Sequence, residues 1–125
     1  MAKNSYKRLG ERELEVLNTV WELGEASVTD VRAVLLERGD IAYTSVMTTM
    51  RNLADKGYLS YSEGHKKYLY KPLKSPTEVR GGLLSDLLKS AFKDSPLSLV
   101  QALVSDSNLS ADELDKIKKL IEDLD

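Results

Sequence analysis

A run of hydroxyl, amide and guanidinium side chains between residues 44 and 52 is well suited to hydrogen bonding with a partner. If this segment is a helix, its apolar Val46, Met50 and Leu53 share one arc and the polar side chains take the opposite arc. Arginine can bond guanine through two contacts, asparagine can pair with adenine, and threonine methyl groups can pack on thymine. The candidate base-reading residues are Thr44, Ser45, Met47, Thr48, Arg51 and Asn52.

The same residues also have structural explanations. Serine and threonine near the start of a helix often cap free backbone amides, so capping and base contact are equally open for Thr44 and Ser45. Arg51 could pair with Asp55 four residues later, an exposed interaction worth about 0.3–0.5 kcal/mol. Such a pair would not prevent Arg51 from contacting DNA.

Charge is distributed unevenly along the chain. The net charge is −2, but residues 41–74 contain six basic and two acidic residues, which gives +4 there and −6 in the remainder. Lysine and arginine displace the counterions of DNA, although from charge alone an ordinary solvated surface is the better explanation. Together with the polar arc, the charge predicts DNA backbone contacts at Lys56, Lys66 and Lys67.

Several classes of function lack the residues that they need. The chain has no cysteine and one histidine, His65, which we interpret as a solvated loop residue. There is no glycine-rich phosphate loop and no inward-facing pair of carboxylates, so we predict neither an enzyme nor a metal or other cofactor. No apolar run approaches the roughly 20 residues that span a bilayer, and the N-terminus lacks the apolar core of a signal peptide. We therefore expect no membrane association and a cytoplasmic location.

Hydrophobic periodicity predicts three short helices followed by a β-hairpin. The helices cover about 10–23, a segment capped at Ser27 and ending before Gly39, and about 43–56. Alternating residues at 58–62 and 67–71 flank a glycine-containing turn. This order is that of a winged helix, in which the third helix enters the major groove and the hairpin flanks it.

The remaining residues predict a helical region. Ser75–Glu78 and Ser110–Glu113 have the pattern of capping boxes, and Ser95-Pro96 restarts a helix between them. The predicted fold class is therefore mainly α with a small β-hairpin wing, divided into a winged-helix DNA-binding domain at 1–74 and a helical dimerisation domain at 75–125.

A segment as short as 75–125 rarely forms an independent core, and without cysteine its partner is most simply a second copy of the chain. The alternative is a monomer whose C-terminal helices fold back on the first domain. The predicted dimerisation residues are apolar: Val79, Leu83, Leu84, Leu87, Leu88, Leu99, Val100, Leu103, Leu114, Ile117, Leu120, Ile121 and Leu124.

The sequence resembles the penicillinase-repressor family (BlaI/MecI/CopY) over nearly its whole length. The resemblance lies in Leu9–Leu17 with Trp21, and in Tyr43–Met50 followed by Leu53 and Lys56-Gly57. Leu97–Val100 and Leu109–Leu114 are similar to the dimerisation region of the family.

This resemblance implies a homodimeric winged-helix repressor that binds inverted-repeat operators in double-stranded DNA. Ser45, Met47 and Thr48 would fall at groove-contact positions, with Met47 in place of the polar residue common in antibiotic-resistance repressors. The cysteine-rich motif of copper-responsive members is absent. In β-lactam-responsive members a sensor protease cleaves an Asn-Phe bond, whereas the corresponding place here reads Gln101-Ala102-Leu103, so a sensor protease is left open as a partner. The alternative function is a winged-helix protein–protein interaction module without DNA binding.

Overall fold

The computed structural model describes residues 8–64, 67–106 and 108–124. Within these ranges the elements confirm the predicted mainly α class with a small hairpin. In chain order they are α1 (Glu11–Leu23), α2 (Val28–Leu35), α3 (Tyr43–Asp55), β1 (Leu59–Glu63), β2 (Tyr68–Pro72), α4 (Pro76–Ala91), α5 (Pro96–Asp106) and α6 (Ala111–Glu122).

Local capping determines where the first helices begin and end. The backbone N–H of Gly10 donates to Glu13 Oε1 at 2.9 Å at the start of α1. The helix ends where Gly24 adopts a φ of +85°, a left-handed conformation that glycine accommodates easily. Ser27 caps α2, as the sequence predicted, and it exchanges reciprocal hydrogen bonds of 3.0 and 3.1 Å with Asp30.

One hydrophobic core joins α1, α2, α3 and the hairpin. The apolar arc of α3 enters this core, where Val46, Met50 and Leu53 are fully buried. Because these three side chains point inward, the opposite arc of α3 must face solvent. The other core residues are Val16, Leu17, Val20, Ala26, Val28, Val31, Leu35, Ile41, Tyr58, Leu59, Tyr70 and Val79.

The hairpin is antiparallel, with Leu59 opposite Pro72 and Glu63 opposite Tyr68. A third piece of extended chain joins it. The N–H of Ala26 donates to the carbonyl oxygen of Tyr70 at 3.0 Å, and the N–H of Tyr70 donates to that of Ala26 at 2.8 Å. This bridge, which the sequence did not predict, ties the hairpin to the segment that leads into α2.

The chain divides into two compact units, Met1–Leu83 and Leu84–Asp125. The division falls inside α4, whereas the sequence placed it before that helix. Val79 is fully buried in the core of the first unit, and Leu83 packs against this core. Val79 was predicted at a dimer interface, and the structure corrects this assignment: Val79 is a core residue within one chain.

The second unit contains the end of α4 together with α5 and α6. Ser110 and Glu113 form the predicted capping box at the start of α6, with the N–H of Glu113 donating to Ser110 Oγ at 3.1 Å. None of the described residues from Leu84 onward is buried. Among the helices that the structure describes, none is long and apolar enough to cross a membrane.

Candidate nucleic-acid interface

The first turn of α3 presents hydroxyl groups to solvent. Ala42 is the N-cap residue, and no side chain caps this helix. Thr44 and Ser45 are exposed in the turn that follows. The capping alternative for these two residues is therefore wrong, and their hydroxyls are available to a partner.

Further along the same face, Thr48, Arg51 and Asn52 are also exposed. With Asp55 and Tyr61 they line a shallow concavity of about 350 Å³. The alternative pairing of Arg51 with Asp55 is not formed, because Arg51 makes no ion pair with any described residue. Its guanidinium is thus free to bind an acceptor from outside the chain.

Met47 lies between the polar face and the core. It is half-buried and packs against the core cluster. Its outer side forms part of a larger cleft. The structure therefore brings all six candidate base-reading residues to one side of α3.

This larger cleft, of about 560 Å³, lies between the start of α2, the outer face of α3 and the hairpin. Its aromatic lining is Tyr43, Tyr61, Tyr68 and Tyr70. The Tyr61 ring meets Tyr68 edge-on at a centroid distance of 5.2 Å, and lies tilted against Tyr70 at 5.5 Å. Apart from the aromatic character of the two strands, nothing in the residue pattern indicated this cleft.

The cleft also carries charge. Arg51 and Lys67 are its basic lining residues, and Glu63 is its acidic one. Burial raises the pKa of the Tyr70 hydroxyl above its ordinary value, although the nearby charge of Arg51 acts in the opposite direction. At the start of α2, the hydrogen bond from the Ser27 backbone lowers the pKa of Asp30, and the charge of Lys67 also contributes.

The three lysines predicted to contact the DNA backbone have different environments. Lys56 Nζ donates to Glu13 Oε1 and Oε2 and to the carbonyl oxygen of Arg8, each at 2.8 Å. These bonds link the end of α3 to the start of α1, a role that the sequence did not suggest. Lys67 is exposed at the hairpin, whereas Lys66 lies outside the described residues.

The predicted dimerisation residues other than Val79 are exposed or half-buried. In the second unit, Leu84, Leu87, Val100 and Leu103 are between 43 and 47% exposed. Leu120, Ile121 and Leu124 are more exposed, at 58–80%. Leu88, Leu99, Leu114 and Ile117 are half-buried, as is Leu83 in the first unit.

No group of three or more histidine, aspartate or glutamate side chains in the described ranges could hold a metal ion. The candidate interface is a polar and aromatic surface. Its chemistry is that of hydrogen bonding, ion pairing and ring packing.

Comparisons with known proteins agree with this architecture. The model of the penicillinase repressor family matches residues 9–123. The transcriptional regulator BlaI of Mycobacterium tuberculosis is 30% identical over 119 residues, which cover 94% of this chain and 86% of BlaI. The methicillin resistance regulatory protein MecI of Staphylococcus aureus is 21% identical over 118 residues, which cover 94% of this chain and 96% of MecI.

Solved structures show the same fold. A mutant MarR from E. coli complexed with operator DNA superposes with a TM-score of 0.53 at 16% identity, covering 91% of this chain and 74% of MarR. FabT of Streptococcus pneumoniae in complex with DNA gives a TM-score of 0.50 at 17% identity, covering 97% of this chain and 76% of FabT. These likenesses confirm the winged helix. With the family match over most of its length, this chain belongs to the penicillinase repressor family, whose members are transcriptional regulators and not enzymes.

Proposed function

We propose that the chain is a homodimeric repressor that binds inverted-repeat operators in double-stranded DNA through α3. The observation that carries the proposal is the exposed polar face of α3, on which Thr44, Ser45 and Thr48 have no capping role and Arg51 has no ion-pair partner among the described residues. A helix of this width fits the major groove, and these side chain types bond base edges there.

Within this interface the residues divide by the type of contact. Ser45, Met47 and Thr48 lie near the start of α3, the part of a reading helix that usually lies deepest in the groove. Arg51 and Asn52 extend the same face. We assign a phosphate contact to the exposed Lys67 on the hairpin, and such a contact would position the protein without reading the sequence.

The positive charge available to DNA is smaller than the sequence suggests. Lys56 is held by Glu13, and Lys71 lies 3.6 Å from the carboxylate of Glu25. A phosphate contact at Lys56 stays a prediction that would require its internal hydrogen bonds to rearrange. We therefore assign the main ionic contacts to Arg51 and Lys67.

The second unit supports the homodimer. Its described apolar side chains are exposed or half-buried, and a unit of about 40 residues does not supply enough buried surface to be stable alone. A second copy would cover these side chains and link two α3 helices for a symmetric operator. In the alternative, a monomer whose C-terminal helices fold back on the first domain, that domain would have to cover the same leucines.

Two kinds of partner bear on the proposal. The MarR and FabT structures with matching folds contain DNA, which supports a DNA partner for this chain. A sensor protease stays a prediction. Gln101, Ala102 and Leu103 lie within α5, so cleavage there would first require local unfolding of that helix.

Salt dependence distinguishes DNA binding from the alternative of a protein–protein interaction module. We expect binding to a labelled duplex, followed by fluorescence anisotropy, to weaken steeply between about 50 and 200 mM salt, because phosphate contacts release counterions. An apolar protein contact would be nearly insensitive to salt over this range. No binding to any duplex at the lowest salt concentration would contradict the proposal.

A further inference from the structure

We propose that the cleft between α2, α3 and the hairpin binds a flat aromatic monoanion, and that its occupancy weakens DNA binding. The first part concerns the cleft alone, whereas the second rests on the proposed function. At about 560 Å³ the cleft lies within the range of about 300–1,000 Å³ typical of small-molecule sites.

The aromatic preference follows from the walls of the cleft. Tyr43, Tyr61 and Tyr68 are each about half-exposed, so large ring surfaces remain open to a ligand. Tyr61 and Tyr68 meet edge to face, so their two rings present differently oriented surfaces to the cleft. Aromatic pairs favour offset and edge-on arrangements, so a planar ring can contact several of these side chains together.

The preference for one negative charge follows from the charged lining. Arg51 and Lys67 contribute two positive charges, and Glu63 contributes one negative charge. Thr29, in the first turn of α2, adds a hydroxyl group to the same wall. A monoanion balances this lining, and a carboxylate can accept two parallel hydrogen bonds from arginine.

Tyr70 supplies an independent observation. It is only 3% exposed, it lines the cleft, and its hydroxyl makes no hydrogen bond with any described residue. Burial raises the pKa of this hydroxyl, which therefore stays protonated and can donate to an anion. No side-chain nitrogen or oxygen atom of the described residues is both fully buried and without a partner, so this hydroxyl reaches the open space of the cleft, where a ligand could accept its hydrogen bond.

Competition with DNA follows from shared residues. Arg51 lines both the cleft and the concavity that contains Thr48 and Asn52, and Met47 lies at the edge of the cleft. A carboxylate bound to Arg51 would remove this guanidinium from DNA. The ligand would also place negative charge beside the path of the phosphates, where DNA itself must lie.

The binding test uses the full chain with ¹³C-labelled methionine methyl groups and 2-naphthoate as the probe, without DNA. We expect the Met47 methyl resonance to shift on titration while that of Met50, buried in the core, moves little. Neutral 2-naphthalenemethanol tests the charge requirement, and cyclohexanecarboxylate tests the aromatic requirement. Both should bind at least about tenfold more weakly than 2-naphthoate, because each lacks one of the two interactions.

Substitutions locate the site. We expect Y70F to weaken 2-naphthoate binding about fivefold and R51Q about tenfold, because they remove a neutral and a charge-assisted hydrogen bond respectively. K118Q, on the exposed surface of α6, is the matched control and should leave binding unchanged. An unshifted Met47 resonance at millimolar 2-naphthoate, or full binding by both Y70F and R51Q, would overturn the site.

A separate measurement tests competition. Anisotropy of a labelled duplex should show at least about fivefold weaker DNA binding at saturating 2-naphthoate, and a clearly smaller loss with cyclohexanecarboxylate at the same concentration, because that compound occupies fewer of the sites. If 2-naphthoate shifted the Met47 methyl resonance but left the affinity for DNA unchanged, the proposed competition would be overturned. If the protein bound no duplex at all, the proposed function and the competition would both fail, whereas the methionine titration would still decide whether the cleft binds the anion.

Discussion

Individual side chains on the first unit differ in the partners that they already have within the chain. Thr44 and Ser45 are exposed and take no part in capping, whereas the ammonium group of Lys56 is held by three acceptors. Exposed residues such as Thr44 and Ser45 can replace bound water with a base or phosphate without breaking a hydrogen bond inside the protein. Lys56, in contrast, could contact DNA only by giving up hydrogen bonds that link α1 and α3.

Thr48 and Lys67 should have different effects on DNA binding. We expect T48A to change which operator base is preferred, because base-edge contacts carry sequence information. K67A should weaken binding to all sequences alike and lower the salt slope by up to about one unit, because it removes a single phosphate neighbour. Anisotropy with a selected operator and a scrambled duplex, at several salt concentrations, measures both effects. K118A on α6 is the control for removal of a lysine. Equal weakening on all sequences for T48A would make Thr48 a positioning residue.

The pair formed by Glu13 and Lys56 predicts a pH dependence of stability. Burial raises the pKa of Glu13, but hydrogen bonds from Lys56 and the Gly10 backbone, with the Lys56 charge, lower it below the ordinary value of 4.5. A lowered pKa in the folded state stabilises the protein above the unfolded value, and this contribution is lost as pH falls through the folded value.

We therefore expect E13Q to reduce the free energy of unfolding by about 1 kcal/mol at pH near 7. The difference from wild type should shrink as pH falls below about 4.5. Urea unfolding at a series of pH values measures this difference. A difference that stayed constant to acid pH would show that the carboxylate charge is not responsible.

The orientation of α3 could be predicted from sequence because three apolar residues at helical spacing must enter the core. The cap at Ser27 and the capping boxes at Ser75 and Ser110 were also predicted, since the partners lie three residues apart. The tyrosine-lined cleft could not be predicted. Its rings come from α3 and from both strands, and only the fold brings them together.

Two other elements escaped prediction for physical reasons. A single bridging residue such as Ala26 has no alternation, so periodicity cannot reveal its pairing with Tyr70. In α4 the apolar positions form one continuous pattern. The sequence therefore could not show that Val79 enters the core of the first unit while Leu84 stays exposed.

The different environments of Val79 and Leu84 give a test at the level of α4. We expect V79A to lower the free energy of unfolding by about 2 kcal/mol, because it removes fully buried methyl groups and leaves a cavity. The substitution should leave the association of folded chains unchanged. Urea unfolding and sedimentation velocity on the same sample measure the two quantities. A dissociated but fully stable V79A protein would return Val79 to the dimer interface.

For the whole molecule, the second unit provides the test of assembly. We expect L84D to dissociate the proposed dimer, because a carboxylate would replace an apolar side chain between copies. Dissociation should also lower the affinity for the operator, because the two half-sites would then be bound by separate chains and not by one linked dimer. S85D introduces the same charge beside it on α4 and is the matched control. Sedimentation equilibrium that showed L84D to be as dimeric as S85D would remove Leu84 from the interface.

Selection of bound duplexes from a random DNA pool tests the central claim most directly, because it reports DNA binding, symmetry and spacing together. We predict enrichment of an inverted repeat whose half-sites lie about one helical turn or a multiple of it apart, with T48A enriching a different base at one position of each half-site. Retention of no duplex above background at low salt would contradict the assignment of α3 as the DNA-reading helix. A variant with Thr48, Arg51 and Asn52 all changed to alanine gives a second check. If this variant enriched the same DNA sequence as the wild type, the assignment of α3 as the DNA-reading helix would also be contradicted.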